Sequence, residues 1–357
     1  MYWHGCNYAW STDGSTIYYG LDFGANVWGS HLGVSTRRAA VEQDFAAMAA
    51  MGFRVVRWFV FADGRAGIVY DDRGLPAGVD PHFFADLDTA CEIARGVDVR
   101  LALVLLDHHW MFEGLRDTIA DPATGSLMEV RLPRGRADIL HSNAGRAALF
   151  GRVFEPLVHR YAPGGDRADL ADQIFAIELM NEPDFVIEEW ERDLSSRVAR
   201  PLPFEALAGL VSSLSALVHA CSPALTTIGC ARLHNVWAWD DPELGIDVLQ
   251  VHSYPNTWHP GRDLDPRVTD ARSLGFSKPL LLGEFPGDPA AHHPAGASPV
   301  VRDVDDMLEA SLRGGYVGAW PWSFSGTDGY GRLPAERLRA FAVRHPELVN
   351  PRALRSS

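Results

Sequence analysis

Ile177-Glu178-Leu179-Met180-Asn181-Glu182-Pro183-Asp184 and Leu280-Leu281-Leu282-Gly283-Glu284-Phe285-Pro286 are the two stretches that decide the fold. Each is an apolar run that ends in a carboxylate and then a proline. A run of this kind bounded by a turn residue reads as a buried strand, and proline stops the ladder because it has no N–H to donate. Glu182 and Glu284 are therefore both expected at the exit of a buried parallel strand. Strands buried on both faces belong to folds in which strands and helices alternate.

That alternation extends along the chain. Residues 17–23 (IYYGLDF) read as a first strand, 53–61 (FRVVRWFVF) as a second, 99–106 as a third and 174–180 as a fourth. Residues 225–230, 248–252, 280–283 and 316–320 supply the fifth to the eighth. Helices are expected over 36–51, 81–95, 144–161, 204–220, 301–313 and 335–344. In the first of these, Ala40, Val41, Phe45, Met48 and Ala49 recur at helical spacing, Ser35 or Thr36 can cap it, and Gly52 ends it. The second opens on a proline and closes on Gly96.

The helical pattern is weakest after the fifth strand. Residues 111–141 carry Gly, Pro and charge without periodicity, and loops of that length are uncommon unless they bind something. Eight strands, each followed by a helix or a helix-length segment, predict an α/β fold, the closed (β/α)8 TIM barrel. No Gly/Ser-rich linker, charge block or fixed-period repeat divides the chain, so a single catalytic domain over residues 1–357 is expected.

At 357 residues and 47% hydrophobic, the chain is long enough to fill one barrel with insertions. Its 46 acidic against 32 basic residues give a net charge of -14, which repels phosphate backbones and anionic lipid, so neither nucleic acid nor membrane is an expected partner. Apolar stretches such as 99–106, interrupted by Arg100, fall far short of a bilayer span, and a soluble protein is expected. Met1-Tyr2-Trp3-His4-Gly5-Cys6-Asn7 has neither a basic nor an apolar leader region, which gives a cytoplasmic location as the expectation. Cys6, Cys91, Cys221 and Cys230 are scattered, with no CxxC, and read as buried free thiols rather than a zinc framework.

Catalytic side chains of such barrels collect at the C-terminal ends of the strands, and two carboxylates facing each other there are the apparatus for splitting a glycosidic bond. Taken singly, each glutamate also suits a helix start, where it offsets the dipole. Two of them, each after a buried strand and before a proline, favour the catalytic pair. The pattern resembles clan A glycoside hydrolases, the retaining barrels that include family 5 cellulases and mannanases. Glu178-Leu179-Met180-Asn181-Glu182-Pro183 resembles their fourth-strand motif, in which Asn precedes the acid/base Glu, and Leu282-Gly283-Glu284-Phe285 their seventh-strand nucleophile segment. The resemblance runs over nearly the whole chain in strand order and implies Glu182 as acid/base and Glu284 as nucleophile.

It also implies roles for other strand-end residues. Arg57 in Val55-Val56-Arg57-Trp58 matches the second-strand Arg that holds the nucleophile, and a guanidinium there would lower the carboxylate's pKa. His252 and Tyr254 in Val251-His252-Ser253-Tyr254-Pro255 match the sixth-strand pair, and alternation puts both on one side of the strand. Asn181 would contact the sugar 2-hydroxyl, and either Trp320 or Trp322 would give the platform under the ring. His108 or His109 matches a third-strand sugar-binding His. Glu178 shares the parity of Glu182 one layer deeper and reads as a buried, paired support residue.

The implied chemistry is double displacement, with the Glu182 pKa raised, the Glu284 pKa low, and no metal or organic cofactor required. The expected partner is a carbohydrate with β-linked mannose or glucose. Trp3-His4-Gly5-Cys6-Asn7-Tyr8 and the surroundings of Trp110, Trp237, Trp239 and Trp258 resemble mannanase-like members, although aromatic clefts serve glucans equally. Two rival readings stand beside this one: a metal-dependent barrel hydrolase using His108, His109 and His252, and a non-catalytic carbohydrate-binding barrel.

Overall fold

The computed structural model describes residues 2–11, 20–27, 29–112, 116–120, 127–131, 136–254, 264–287, 303–326 and 332–346. Eight parallel strands close into a barrel. They are β1 (Trp3–Asn7), β2 (Val55–Ala62), β3 (Arg100–Asp107), β4 (Ile174–Asn181), β5 (Leu225–Cys230), β6 (Val248–His252), β7 (Leu280–Pro286) and β8 (Gly318–Trp322). Each pairs with its neighbours in chain order, and β1 closes the ring between β8 and β2. Helices Arg38–Ala50, Phe83–Gly96, Phe204–Cys221, Val304–Arg313 and Ala335–Arg344 fall where the periodicity predicts them, and residues 143–161 are helical throughout, with a π-helical stretch at Phe150–Phe154.

The first strand is not where the sequence suggested. Residues 20–23 form no strand and 17–19 lie outside the described residues; the barrel instead opens with Trp3–Asn7. This segment contains His4, Gly5 and Asn7 and so does not read as an apolar run, yet all five residues are buried. Trp3 faces an inner cluster with Val55, Ala102, Phe175, Val248, Leu281 and Trp320, while Cys6 faces the surrounding helices. A Cβ on Gly5 would lie 2.6 Å from Trp320 Nε1 and 2.7 Å from the Val55 carbonyl oxygen, so only glycine lets β1 approach β2 and β8. Leu21 and Phe23 are buried through packing, Phe23 with its ring 5.0 Å from that of Trp58.

After β5, where the helical pattern fades, there is one short helix, Leu233–Val236, and two 3-10 turns. The expected loop over 111–141 contains an antiparallel pair, Arg116–Ala120 with Leu127–Arg131, and the helix Arg136–His141, while 113–115, 121–126 and 132–135 lie outside the described residues. Helix Phe204–Cys221 corrects the estimate of apolar stretches: by length and composition alone it is apolar enough to cross a membrane. Its Leu207, Leu210, Val211, Leu214 and Val218 are nonetheless buried within the fold. All four cysteines are free, three buried and Cys221 half-buried.

The barrel interior is layered. Above the apolar layer around Trp3 and Trp320 lie the buried polar side chains of Asn7, Arg57, Glu178 and Gln250, and above these a second apolar cluster holds Ala9, Trp10, Phe59, Ala62 and Trp322. Because Gly5 is surrounded by backbone as well as side chains, Gly5→Ala is expected to lower stability by about 1–3 kcal/mol, the usual range for overpacking. Chemical denaturation of the two proteins side by side measures it.

Candidate active site

Neighbouring strands bring the predicted residues to one mouth. Asn7 stands beside Arg57, Asp107 beside Asn181 and His252 beside Glu284. Glu284 lies within β7, two residues before its end, so it is held by the ladder rather than standing beyond it. Glu182 follows β4 immediately, in a left-handed conformation with φ 50° and ψ 53° that a non-glycine residue rarely adopts.

Arg57 is fully buried, and every N–H of its guanidinium is used. Nε and Nη2 donate to the two oxygens of Glu178, each at 2.7 Å, and Nη2 also donates to Asn181 Oδ1 at 2.7 Å. Nη1 donates to Glu284 Oε1 at 2.6 Å and to Asn7 Oδ1 at 2.9 Å. Glu178 takes a further bond from Gln250 Nε2 at 2.9 Å, which makes it the buried, paired support residue that its parity suggested. Tyr254 Oη donates to the other nucleophile-candidate oxygen, Glu284 Oε2, at 2.8 Å.

His252 joins the two carboxylates. Its Nδ1 lies 3.0 Å from Glu182 Oε1 and 3.6 Å from Glu284 Oε1. One oxygen of each glutamate and this nitrogen all lie within 4.8 Å of one another. Oxygens that close fit carboxyl groups about 5–5.5 Å apart, the separation in retaining enzymes, better than the gap of about 6.5–9.5 Å in inverting ones.

His108 Nδ1 lies 3.8 Å from Glu182 Oε2, with its ring 4.9 Å from that of Phe185. The same nitrogen lies 3.4 Å from Asp107 Oδ2, and His109 also bonds to Asp107, so His108 stands between Asp107 and the acid/base candidate while His109 turns to Asp107. Asn181 donates from Nδ2 to Asp107 Oδ2 at 2.8 Å, so both ends of its amide are engaged by the site itself. The two tryptophans separate by depth. Trp320 belongs to the lower apolar layer and donates to the Trp3 carbonyl oxygen, while Trp322 stands in the upper cluster with Trp10, Phe59 and Tyr254. Of the other aromatics, Trp110 and Trp239 are core, Trp237 is half exposed against Phe276, and Trp258 lies outside the described residues.

The protonation order differs from the one expected. Burial lifts Glu284 above the usual carboxylate range, with the charge of Glu182 adding to it, against the lowering effect of His252 and Arg57. Burial also lifts Glu182, but the hydrogen bond and charge of His252, with the charge of His108, outweigh it and hold Glu182 below its ordinary value. His252 itself rises: burial lowers it, and the two glutamates overcome that. The inversion of the expected order thus depends on a cationic His252 beside Glu182. Asp107 is held well below the carboxylate range, because His108 and His109 overcome the effect of its burial.

Among the described residues, Asp107 with His108 and His109, and Glu182 with His252 and Glu284, are the two sets of side chains whose donors can hold a cation. Neither unites His108, His109 and His252, the set that a metal-dependent reading requires. Three participants escaped the sequence reading: Asn7, Asp107 and Gln250. Asp107 carried part of the signal of Glu182, an apolar run ending in a carboxylate but without the proline, and Gln250 shares the parity of His252.

No family model matches the chain. Mannan endo-1,4-beta-mannosidase 1 of Oryza sativa subsp. japonica is 26% identical over 328 residues, covering 83% of this chain and 72% of the relative. Among solved structures, the β-mannanase of the blue mussel Mytilus edulis superposes with a TM-score of 0.69 at 18% identity, over 95% of this chain and 90% of that one. The endo-1,4-beta-mannanase of Eisenia fetida gives 0.68 at 18% identity, over 95% and 89%. At that identity the structural likeness carries the fold.

Removing Arg57 leaves Glu178 and Glu284 buried without their cation, so Arg57→Ala is expected to cost about 3–5 kcal/mol in stability. Arg57→Lys, with three donors for five positions, recovers only part of this in urea unfolding.

Proposed function

We propose that this chain, a glycoside hydrolase resembling clan A barrels, cleaves β-1,4-linked mannan and its oligosaccharides by double displacement, and that residues 1–357 act as one catalytic domain. The observation that carries the reading is the pair Glu182 and Glu284 meeting across His252 Nδ1 with carboxylate oxygens within 4.8 Å. Mannose, rather than glucose, is favoured by the curated relative, whose name records action on mannan. The barrel strands span the chain from Trp3 to Trp322, which supports the single domain.

Glu284 is the nucleophile. Arg57 and Tyr254 each hold one of its oxygens, which fixes the attacking oxygen and spreads its charge as the glycosyl–enzyme bond forms. Glu182 protonates the leaving oxygen and then, ionised, deprotonates the water that releases the sugar. Trp322 supplies the apolar platform beneath the ring, and Asn181 and His108 line the site from the ends of neighbouring strands.

The proton that Glu182 needs is already in the site. A proton on His252 Nδ1 and one on Glu182 Oε1 are alternative positions for a single proton along one 3.0 Å hydrogen bond, and the two states carry the same net charge. When the proton lies on Glu182, its carboxyl is the acid and the imidazole is neutral, and Arg57 still holds Glu284 ionised. The inverted order of the free site is then the other tautomer of the working state.

Activity should therefore be bell-shaped in pH. The acid limb of kcat/KM reports protonation of Glu284, whose pKa is raised, and falls above the ordinary 4.5 of a glutamate. The basic limb reports loss of the shared proton and falls above the ordinary 6.5 of histidine. Taking away one of two protonation sites can only weaken the hold on that proton, so His252→Asn is expected to move the basic limb to lower pH. An unchanged basic limb in a pH–rate profile would contradict the sharing.

Glu284→Ala is expected to abolish turnover and to regain activity with azide, giving a product of inverted anomeric configuration. Glu182→Ala should lose about 10²–10⁴-fold on mannooligosaccharides and far less on aryl glycosides with good leaving groups, which need no protonation. Near-normal hydrolysis of oligosaccharides by both variants would refute the assignment. Matched β-1,4-mannan and β-1,4-glucan oligosaccharides, with product analysis, test the substrate.

A further inference from the structure

The mechanism leaves one fully buried carboxylate near the acid/base unused. Asp184 stands two residues after Glu182 and is wholly inaccessible to solvent. Its Oδ2 accepts from the backbone N–H of Ala231 at 2.7 Å, and its Oδ1 accepts from the N–H of Arg232 at 3.2 Å and from Asn235 Nδ2 at 2.7 Å. All three donors belong to the segment that follows β5. Asn235 is held in turn by Asp193 Oδ2 at 3.0 Å, and the same oxygen lies 2.8 Å from His234 Nε2.

Glu182 needs such an anchor. It lies outside the β4 ladder in a left-handed conformation that L side chains rarely adopt, and a backbone of that kind persists only where the surroundings over-determine it. Its own N–H donates to the Gly229 carbonyl oxygen at 2.7 Å, at the end of the same strand β5. The turn is thus tied to β5 and its following loop at two points, residue 182 by its backbone and residue 184 by its side chain, with Pro183 stiffening the link between them.

We infer that Asp184 is a positioning residue for the acid/base, clamping the Glu182 turn to the loop after β5 so that the Glu182 carboxyl meets the leaving oxygen. The inference rests on the assignment of Glu182 given above. Burial pushes the Asp184 carboxyl up to about 6, against the hydrogen bonds of Asn235 and Ala231, so that at pH 7.5 it is ionised and accepts all three bonds. A shift of the turn would misplace the proton donor while leaving Glu284, which is held separately by Arg57 and Tyr254, where it is. The loss should therefore track the leaving group's need for a proton.

The test measures kcat/KM at pH 7.5 on a β-1,4-mannooligosaccharide and on 2,4-dinitrophenyl β-mannoside, for wild type, Asp184→Ala, Asp184→Asn and Glu182→Ala. Asp184→Ala is expected to lose about 10–100-fold on the oligosaccharide and less than about threefold on the dinitrophenyl glycoside. Asp184→Asn, which keeps the shape and one accepting oxygen, should fall between Ala and wild type. Equal losses on the two substrates, or no loss, would overturn the clamp. Should Asp184→Ala fail to fold, Asn235→Ala removes one of the three bonds from the opposite side and is judged by the same split. If Glu182→Ala itself shows no split, the acid/base assignment fails; if it does and the Asp184 variant does not, only the clamp fails.

Discussion

A single guanidinium governs the interior of this barrel. Arg57 has five N–H donors, and Asn7, Glu178, Asn181 and Glu284 accept all of them, from strands β1, β4 and β7. A buried arginine is tolerable only if its charge and every donor are answered, so the demand propagates outward. Glu178 must be buried to answer it, Gln250 must then reach Glu178, and a Cβ on Gly229 would fall 2.5 Å from both Gln250 Nε2 and Glu178 Oε1. The polar layer between two apolar ones is therefore one cooperative unit, and Glu284 inherits its position and part of its charge balance from it.

The sequence disclosed those parts whose physics is local. Strands buried on both faces, such as β3 and β4, announced themselves as apolar runs, and helices with a strong stripe, such as Ala335–Arg344, could be read to the residue. It concealed β1, because a strand that faces the polar layer must carry Asn7 and, where it touches β2 and β8, Gly5, and so has no apolar run to show. Glu182 and Glu284 were legible near their strand ends, whereas Arg57, expected at a strand end, is the third residue of β2 and reaches the mouth from the layer beneath it. The choice between His108 and His109, or between Trp320 and Trp322, was not. Each of those choices depends on how the strand end turns or how deep a layer lies, which alternation alone does not specify.

The protonation order was legible only in part, for a related reason. The sequence showed a cation destined for Glu284 but not that an imidazole would stand between the two carboxylates, 3.0 Å from one and 3.6 Å from the other. With that imidazole charged, Glu182 is the carboxyl held low; with its proton passed along the hydrogen bond, Glu182 becomes the acid. Arg57 cannot make the same exchange, since a guanidinium does not give up its proton in a protein. Thus Glu284 faces a fixed cation as well as the titrating one, whereas Glu182 faces the imidazoles of His252 and His108, and the proposed division of roles follows from that distinction.

The backbone makes the same division. Glu284 sits inside β7, opposite His252 of β6, and its oxygens are pinned by Arg57 and Tyr254. A nucleophile attacks one atom along one line, and rigidity serves it. Glu182 stands just past the ladder of β4 in a left-handed turn, with a side chain more exposed than that of Glu284. As the proposed acid/base it would first meet the leaving oxygen and then a water that replaces it, so its anchor has to fix the turn without occupying the carboxyl. A clamp through Asp184, two residues further along and directed away into the loop after β5, meets that requirement, because it leaves both oxygens of Glu182 to His252, His108 and the reacting groups.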